Sequence, residues 1–599
     1  MIRFYRMIWA VLAPSERRRF LALMGLSVLA GLMEMIGVAA ILPFLQVVSD
    51  PGIIARNAYL DWVNTTLGFA SPHDFSIFLG VMVLVLVLLS LTVRALTMYA
   101  TTRFGVMRAF SISTRLLDRY LHQPYTWFLS RHSADIGKTV LNEVNTMVGS
   151  CILPAMRLIA ALVTVVFVGA FLFVVEPAIA LGAALVLGGA YGGIYMGLRQ
   201  LLRRTGQARL VANKKRFHSV QEATGGLKEL KMMGLERTFL NRYRPAAYDF
   251  ARHQARANIL SQMPRFLLEG IAISGVVMIL LWLMIRDGGN VDQMLPTMGV
   301  LAMAALRLLP ALQQVFAQLA TIRFYTPALE NIHEDLTGLA LPSRTEGDAA
   351  ISVPALTQAL ELREVEFAYP GTEMSALRGL SLTIPALSTV GIVGGTGAGK
   401  TTAVDVILGL LHPDSGTLVV DDVEITPANL RSWQNRLGYV PQHIFLSDGS
   451  IAANIAFGLP PEKIDMAEVE RAARMASLHD FVLDELPQGY DTHVGERGVR
   501  LSGGQRQRVG IARALYHDPD VLIFDEATSA LDNLTERAVM DAVHKIGGQK
   551  TIVMIAHRLS TVRACDTIFL LDHGQLVAQG SYDDLIAGNE TFRRMAVNG

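Results

Sequence analysis

Long apolar runs fill the first half of the chain, whereas short alternating patterns fill the second half. Six apolar stretches, near 20–48, 75–99, 151–175, 177–198, 266–285 and 293–322, are each long enough to cross about 30 Å of hydrocarbon as a helix. They predict six membrane spans, and because six is an even number, both termini are expected on one side. Before them, residues 2–12 alternate basic and bulky apolar side chains, which predicts a short helix at the membrane surface.

Lysine and arginine are concentrated in alternate connections between these stretches. Residues 103–131 hold five arginines and residues 199–244 carry a second basic cluster, so both connections are expected to be cytoplasmic. Their helix-forming composition predicts that spans two to five continue as long intracellular helices. The breaks at Gln123-Pro124 and Gly225-Gly226 predict turns. We expect short transverse coupling helices at 125–130 and 224–231, with ordinary solvated turns as the alternative.

The outward connection at 57–69 contains Tyr59, Leu60 and Trp62 at helical spacing. It predicts a short amphipathic helix on the outer leaflet, with a structured loop as the alternative. After Glu330 the chain becomes polar, and from about residue 360 short β-branched runs alternate with helical patterns. We therefore predict a six-span helical membrane domain at 1–335, a linker at 336–357, and an α/β domain with a largely parallel sheet at 358–599.

Composition supports a membrane protein. Of 599 residues, 51% are hydrophobic and 18% are charged, which is too apolar for a purely soluble chain, and no nucleic-acid partner is expected. The formal net charge of +1 carries no information on partners. Cys151 and Cys565 have no cysteine or histidine at metal-ligand spacing, so both are predicted to be packing residues. The run Arg17 to Arg19 resembles a signal-peptide start, but the following apolar stretch is long and is interpreted as a retained first span.

A phosphate-binding loop follows the apolar strand at 389–393. In a P-loop, glycines let backbone amides wrap the phosphates, Lys400 reaches the terminal phosphates, and the Thr401 hydroxyl is offered to Mg²⁺. A helical pattern comes next, as this motif requires. The predicted ATP-binding residues here are Gly394, Gly395, Thr396, Gly397, Ala398, Gly399, Lys400, Thr401 and Thr402.

A buried strand at 521–526 ends in two carboxylates. Beside a P-loop, their positions predict that Asp525 assists the metal through water and that Glu526 polarises the attacking water. The alternative is an acidic pair that caps the next helix. We expect Glu526→Gln to bind ATP and barely hydrolyse it.

The segment at 501–508, Leu-Ser-Gly-Gly-Gln-Arg-Gln-Arg, resembles the signature of ATP-binding cassette proteins. The resemblance implies that Ser502, Gly503, Gly504 and Gln505 contact the γ-phosphate of an ATP bound to the other subunit. It further implies four roles: Tyr369 stacks on adenine, Gln442 is the coupling-loop glutamine and a metal ligand, His557 is the γ-phosphate switch, and the dimer-crossing loop is formed by Ser529, Ala530, Leu531 and Asp532.

The segment Gly495-Glu496-Arg497-Gly498 resembles an exporter-type element, and with membrane spans fused ahead of the cassette it favours an exporter or flippase. No element of the ATP site looks degenerate. The resemblance therefore implies a homodimer with two equivalent hydrolytic sites, ATP and Mg²⁺ as cofactors, alternating access as the mechanism, and the bacterial inner membrane as the location.

Ionisable residues inside the spans are candidates for a substrate cavity because they are costly in hydrocarbon. Arg94 and Arg157 lie near the inner boundary, where snorkelling to headgroups is the simpler interpretation. Arg265 lies one turn from Glu269 and could form an intrahelical pair. Arg307 suits a phosphate or pyrophosphate headgroup, which guanidinium binds bidentately. The full set of candidates is Glu34, Arg94, Arg157, Arg265 and Arg307.

The first span, at 31–44, resembles that of bacterial lipid-linked oligosaccharide flippases, which also carry an outer helix. This resemblance implies a polyprenyl-pyrophosphate-linked glycan as the substrate. A peptide, drug or lipid exporter of the same fold is the alternative, and an ATP-gated channel or regulatory subunit is a third.

Overall fold

The computed structural model describes residues 1–286, 291–339, 352–372, 374–495, 498–526, 548–556 and 558–598. The chain forms two compact units. The helical unit comprises Met1–Gln123 and Arg131–Pro342, and the sheet unit comprises Pro124–Ser130 and Ser343–Gly599.

The helical unit consists of long helices joined by short connections. Its principal helices are Ile2–Val11, Pro14–Ala39, Ile41–Ser49, Ala58–Leu67, Pro72–Leu121, Leu153–Val175, Pro177–Gly225, Leu227–Met233, Glu236–Arg286 and Val291–Gly338. Shorter pieces, Ile53–Arg56, Ser133–Lys138 and Val144–Met147, are joined by π-helical segments at Thr139–Glu143 and Val148–Ile152. Pro72 and Pro177 each stand in the first turn of a long helix, where a missing N–H costs nothing.

Five helical stretches of the described residues are long and apolar enough to span a membrane: Pro14–Ser49, Pro72–Leu121, Ala134–Val175, Pro177–Gly225 and Met298–Gly338. The remaining predicted span, 266–285, lies within the helix Glu236–Arg286. The helix Pro72–Leu121 has 50 residues, about 75 Å at 1.5 Å per residue, which is more than twice the thickness of the hydrocarbon core. The predicted extension of the spans beyond the membrane is therefore confirmed.

The predicted helix breaks are also found. The second span ends at Leu121 and is followed by the short helix Tyr125–Leu129, and the fourth ends at Gly225, just before the helix Leu227–Met233. The first span is interrupted at Ala40, between the helices Pro14–Ala39 and Ile41–Ser49.

The connection at 57–69 forms the helix Ala58–Leu67, so the prediction of a helix is correct and the loop alternative is not; its place on the outer leaflet stays a prediction. The side chain of Asn57 caps it by accepting from the Tyr59 and Leu60 amides. Leu60 is buried against Phe75 and Leu79, while Tyr59 remains 85% exposed.

The N-terminal segment forms the expected helix Ile2–Val11, which buries Phe4, Met7, Ile8 and Val11. The connection to the first span is held by the buried Glu16, whose carboxylate pairs with Arg108 and accepts from the Ser111 hydroxyl at 2.6 Å. Cys151 and Cys565 are both buried free thiols, as expected for packing residues.

The described residues of the sheet unit form ten strands: β1 Ala359–Ala368, β2 Ser375–Pro385, β3 Thr389–Gly394, β4 Ser415–Val420, β5 Val423–Glu424, β6 Leu437–Val440, β7 Val521–Asp525, β8 Thr551–Ile555, β9 Thr567–Asp572 and β10 Gln575–Gly580. A six-stranded sheet has the order β10-β9-β3-β8-β7-β6, and all its neighbouring pairs except β10 with β9 are parallel. This sheet matches the prediction. The four-stranded sheet β2-β1-β4-β5 is antiparallel and was not predicted separately.

Every residue of β7 and β8 is buried, which explains why these strands are continuous apolar runs in the sequence. The helices around the sheets are Lys400–Ile407, Leu430–Gln434, Ile451–Ile455, Met466–Met475, His479–Asp484, Gly503–Leu515, Leu559–Val562, Tyr582–Gly588 and Glu590–Asn598.

Candidate functional site

The carboxyl edge of the parallel sheet gathers the predicted ATP-site residues. Strand β3 runs into the P-loop, β6 ends two residues before Gln442, and β7 ends at Asp525 with Glu526 next. Parallel strands place their carboxyl ends at one edge, which is where α/β sheets bind ligands. Residues far apart in the sequence are therefore brought together by the direction of the strands alone.

The P-loop depends on glycine at two positions. Gly394 has φ 154° and Gly399 has φ 95°, values that favour glycine. A Cβ at Gly394 would lie 2.2 Å from the Leu571 carbonyl oxygen, and one at Gly399 would lie 2.8 Å from that of Ala376. Side chains there would collide with backbone, so the loop can close only with glycine at both positions.

Lys400 lies inside its own loop. Its Nζ donates to the Gly394 carbonyl at 2.8 Å and to the Gly395 carbonyl at 3.0 Å, and the residue is only 6% exposed. Burial lowers the pKa of Lys400, while the nearby carboxylates of Glu526 and Asp525 oppose that shift. The ammonium group is thus already held where the predicted phosphates would lie.

The two carboxylates beyond β7 are held by different partners. Asp525 is buried, and its Oδ2 accepts from the Tyr439 hydroxyl at 3.2 Å. Glu526 has φ 47°, an uncommon conformation for a residue with a side chain, and its amide donates to the Ile555 carbonyl at 3.1 Å. The Gln442 side-chain amide donates to the Glu526 carboxylate. These contacts fix Glu526 and Gln442 as a pair.

Tyr369 lies against the helix that follows the P-loop. Its hydroxyl is 3.1 Å from the Thr402 Oγ1, and its ring makes an edge contact with Phe367 at 5.1 Å between centroids. The predicted adenine-stacking ring is therefore anchored at both ends beside the phosphate loop.

The signature segment forms a capped helix start. The Ser502 hydroxyl accepts from the Gln505 amide at 3.2 Å, while the Ser502 amide donates to the Gln505 side chain at 2.8 Å. This capping box begins the helix Gly503–Leu515, and both Ser502 and Gly503 are exposed. Within the described ranges, no hydrogen bond joins this helix start to the P-loop of the same chain.

Three site residues were missed by the sequence analysis. Burial, followed by the charge of Asp525, raises the pKa of Asp405 to about 6. The pKa of Tyr439 is raised by burial and by Asp525, and the pKa of Tyr125 by burial and by Asp405. Tyr439 had a usable signal, because it stands one residue before the end of a parallel strand. Asp405 and Tyr125 belong to no motif, and only the fold brings them here.

Several predicted residues lie outside the described residues and stay predictions. They are the dimer-crossing loop Ser529, Ala530, Leu531 and Asp532, the switch His557, and Glu496 and Arg497 of the exporter-type element.

The helical unit brings Glu34, Arg94 and Arg307 into one cluster. Glu34 is 5% exposed, its Oε1 lies 2.8 Å from Arg94 Nη1 and 3.9 Å from Arg307 Nη1, and its Oε2 accepts from the Thr164 hydroxyl at 2.8 Å. A Cβ at Gly31 would lie 2.6 Å from Val163, so glycine allows the close approach of the two helices there. One carboxylate thus joins four spans.

The other two cavity candidates are not in this cluster. Arg157 is exposed, and Arg265 Nε lies 3.8 Å from Glu269 Oε2 on the same helix, as the intrahelical interpretation expected. Snorkelling was the simpler expectation for Arg94; in the structure its guanidinium pairs with Glu34, and the side chain remains 50% exposed.

Comparison with known proteins agrees with this architecture. Residues 377–529 match the family "ABC transporter", and residues 21–304 match "ABC transporter transmembrane region". An ATP-dependent lipid A-core flippase of Cupriavidus pinatubonensis is 32% identical over 80% of both chains. The flippase of the same name from Cupriavidus metallidurans is 31% identical over 98% of this chain and 94% of its own length.

Among solved structures, a bacterial Atm1-family ABC exporter with ATP bound covers 97% of this chain and 98% of its own, with a TM-score of 0.78. At 24% identity, that similarity establishes the fold. Because the family matches cover a membrane region and a cassette in one chain, and the relatives align over nearly its whole length, the chain belongs to the ABC transporter family as a half-transporter that couples ATP hydrolysis to transport across a membrane.

Proposed function

We propose that two identical copies of this chain form a bacterial inner-membrane flippase for a glycan-bearing lipid with a phosphate or pyrophosphate headgroup. The observation that carries the proposal is the cluster in which Glu34 holds Arg94 and Arg307 together inside the spans. A polyprenyl-pyrophosphate-linked oligosaccharide is the substrate that the sequence favours. The relatives named lipid A-core flippase support a second substrate of the same chemical class.

The charge of the cluster supports an anionic ligand. One carboxylate faces two guanidinium groups, so the cluster has a formal charge of +1 in a region where charge is costly. The Arg94 side chain is 50% exposed, while those of Arg307 and Glu34 are 18% and 6% exposed. Glu34 therefore orients the arginines, and both guanidinium groups keep donors for a phosphate, with Arg94 the more exposed of the two.

ATP hydrolysis in this proposal uses a site shared between two copies. The helix start at Ser502 is exposed, and a helix N-terminus favours a phosphate. Because no hydrogen bond among the described residues joins it to its own P-loop, we assign it to the γ-phosphate of ATP held by Lys400 of the second copy. Closure of that joint site would drive the rigid-body change of the spans.

Mg²⁺ fits the residues at the sheet edge. Thr401 and Gln442 supply neutral oxygens, and the buried carboxylate of Asp525, held by Tyr439, supplies a negative one. Oxygen donors of this kind suit Mg²⁺, which neutralises phosphate charge when bound. Glu526, fixed by the Gln442 amide, is proposed to orient and polarise the attacking water.

The proposal is tested by reconstituting the protein in vesicles and measuring flipping of a polyprenyl-pyrophosphate oligosaccharide, a lipid A-core lipid and a control peptide, each per ATP hydrolysed. We expect flipping of at least one phosphate-bearing lipid and none of the peptide. Arg307→Ala should reduce flipping at least tenfold, because it removes a headgroup donor.

Arg265→Ala is the matched control, since this arginine pairs along its own helix and is exposed. Equal flipping by wild type and Arg307→Ala would contradict the proposed headgroup site. Peptide transport in place of lipid flipping would favour the exporter alternative, and ion currents across the same bilayers would favour the channel alternative.

A further inference from the structure

Four arginines surround a cavity of about 560 Å³ in the helical unit. Arg199, Arg203 and Arg204 come from the helix Pro177–Gly225, and Arg323 comes from the helix Val291–Gly338. Gln200 and Gln207 complete the lining. We call this the arginine cavity. It shares no residue with the Glu34 cluster or with the nucleotide site.

The position of these arginines along their helices places the cavity at the membrane boundary. The apolar stretches 177–198 and 293–322 end immediately before Arg199 and Arg323. Arg199 lies about 33 Å along its helix from Pro177, close to the thickness of the hydrocarbon core. The cavity therefore opens at the level of lipid headgroups, on the side predicted to be cytoplasmic.

The positive charge of the arginine cavity is not balanced by its lining. In the described part of the chain, one carboxylate is within ion-pair distance of these arginines: Glu330, 3.6 Å from Arg203 Nη2. Arg323 Nε donates at 3.4 Å to the carbonyl oxygen of Arg199, which is a neutral acceptor. The guanidinium charges of Arg199 and Arg323 are therefore not compensated by a carboxylate among the described residues. Arg203 Nε is buried and makes no hydrogen bond to a described residue.

A larger cavity, lined in part by residues close in the sequence to the arginine cavity, has a different balance of charge. It has a volume of about 1390 Å³ and is lined by both signs of charge. There Asp135 lies 2.8 Å from Lys214 and 3.3 Å from Lys138, and the six acidic residues of the lining offset its five lysines and arginines. An excess of guanidinium is thus a property of the arginine cavity and not of every polar surface beyond the spans.

We propose that the arginine cavity binds a phosphate group, presented either by an anionic lipid of the adjacent leaflet or by a soluble phosphate compound. Guanidinium groups bind phosphate oxygens bidentately, and their planar forks can converge on one anion from two helices. Gln200 and Gln207 add neutral donors, and a cavity of this volume is within the usual range for small ligands. Binding would join the fourth and sixth spans through the ligand.

The test uses full-length protein in detergent with saturating Mg-ADP, so that the nucleotide site is occupied. Dihexanoyl phosphatidic acid and inorganic pyrophosphate are titrated separately, and the midpoint of thermal unfolding is read at each concentration. We expect saturable stabilisation of wild type. The double variant Arg199→Gln, Arg204→Gln should bind at least tenfold more weakly; both side chains are exposed, so folding should be retained, and the midpoint without ligand checks this.

Arg103→Gln is the matched control, because Arg103 also follows an apolar stretch, is exposed and does not line the cavity. It should bind both probes like wild type. Binding of the lipid alone supports a lipid headgroup as the source, and binding of pyrophosphate as well supports recognition of the phosphate itself. The proposal is overturned if neither probe stabilises wild type, if the double variant binds as tightly as wild type, or if Arg103→Gln loses as much affinity.

Discussion

The nucleotide site and the Glu34 cluster are both made of charged side chains, yet they are built in opposite ways. At the nucleotide site, each residue follows a strand or loop that the backbone itself fixes; Tyr439 holds Asp525, while Gln442 holds Glu526. In the membrane, one carboxylate serves Arg94, Arg307 and Thr164 together. A substitution can therefore remove the chemistry of the nucleotide site and leave its structure intact. In the membrane cluster, both the structure and the chemistry depend on Glu34.

The largest expected effect is on the chemistry of the nucleotide site. Glu526→Gln should reduce ATP hydrolysis by about 10³-fold, the scale expected for a lost general base, with ATP binding retained because the loop around Lys400 is unchanged. Hydrolysis and nucleotide binding are measured on the same reconstituted sample. Glu485→Gln, an exposed change in the sheet unit, serves as control. Near-normal turnover of Glu526→Gln would remove this residue from the catalytic role.

The second-largest expected effect is on the stability of the Glu34 cluster. Glu34→Gln keeps a hydrogen-bond acceptor for Thr164 but leaves two guanidinium groups without a counter-charge, which we expect to cost about 2 kcal/mol. The midpoint of thermal unfolding should fall by roughly 5 °C, and flipping should fall with it. Glu269→Gln, which breaks an exposed pair with Arg265, should leave both nearly unchanged. If the two variants unfold alike, Glu34 is not the shared support.

A smaller effect sharpens the description of the nucleotide site. Tyr439→Phe removes the hydroxyl that donates to Asp525 and should slow ATP hydrolysis about tenfold, since a hydrogen bond to a charged group is worth about 1.5 kcal/mol. The rate is measured at saturating ATP and Mg²⁺. Tyr582→Phe is the control, because that ring packs against Phe592 and its hydroxyl has no described hydrogen bond. Equal rates in the two variants would mean that Asp525 needs no such partner.

The smallest effect concerns a carboxylate held almost entirely by nearby backbone. Asp421 accepts from the amides of Thr357, Gln358 and Ala359 at 2.6 to 3.0 Å and from the Thr357 hydroxyl at 2.7 Å. Burial alone would raise the pKa of Asp421, but these hydrogen bonds outweigh it, so the pKa is lowered. A lowered pKa means that the folded state favours the charged form. The stabilisation is present above the unfolded value near 4 and is lost as the pH falls through the folded value.

We therefore expect Asp421→Asn to lower the free energy of unfolding slightly at pH 7, by about 0.5 kcal/mol after allowance for solvent screening, and this difference from wild type to shrink as the pH falls below the unfolded pKa of about 4. Asp422→Asn, whose side chain is 84% exposed, should show no such pH dependence. A difference between wild type and Asp421→Asn that does not shrink as the pH falls below about 4 would contradict the assignment.

The elements that depend on local sequence pattern could be predicted without the structure. Apolar length predicted the spans, Gln123-Pro124 and Gly225-Gly226 predicted the helix breaks, and the glycines of the P-loop predicted its shape, because each depends on the chemistry of adjacent residues. Motifs predicted the residues of the ATP site. The direction of the parallel strands then places the P-loop, Gln442, Asp525 and Glu526 at one edge of the sheet.

Contacts between charged side chains that are distant in the sequence depend on tertiary packing and could not be predicted from local pattern. Glu34, Arg94, Thr164 and Arg307 lie on four helices, and whether two such residues face each other depends on how those helices rotate and approach. The same holds for Arg199 and Arg323 around the arginine cavity, and for Tyr125 and Asp405 in the sheet unit. Periodicity along one helix fixes the face on which a side chain lies, but not the neighbour that this face contacts, because packing is set by all the helices together.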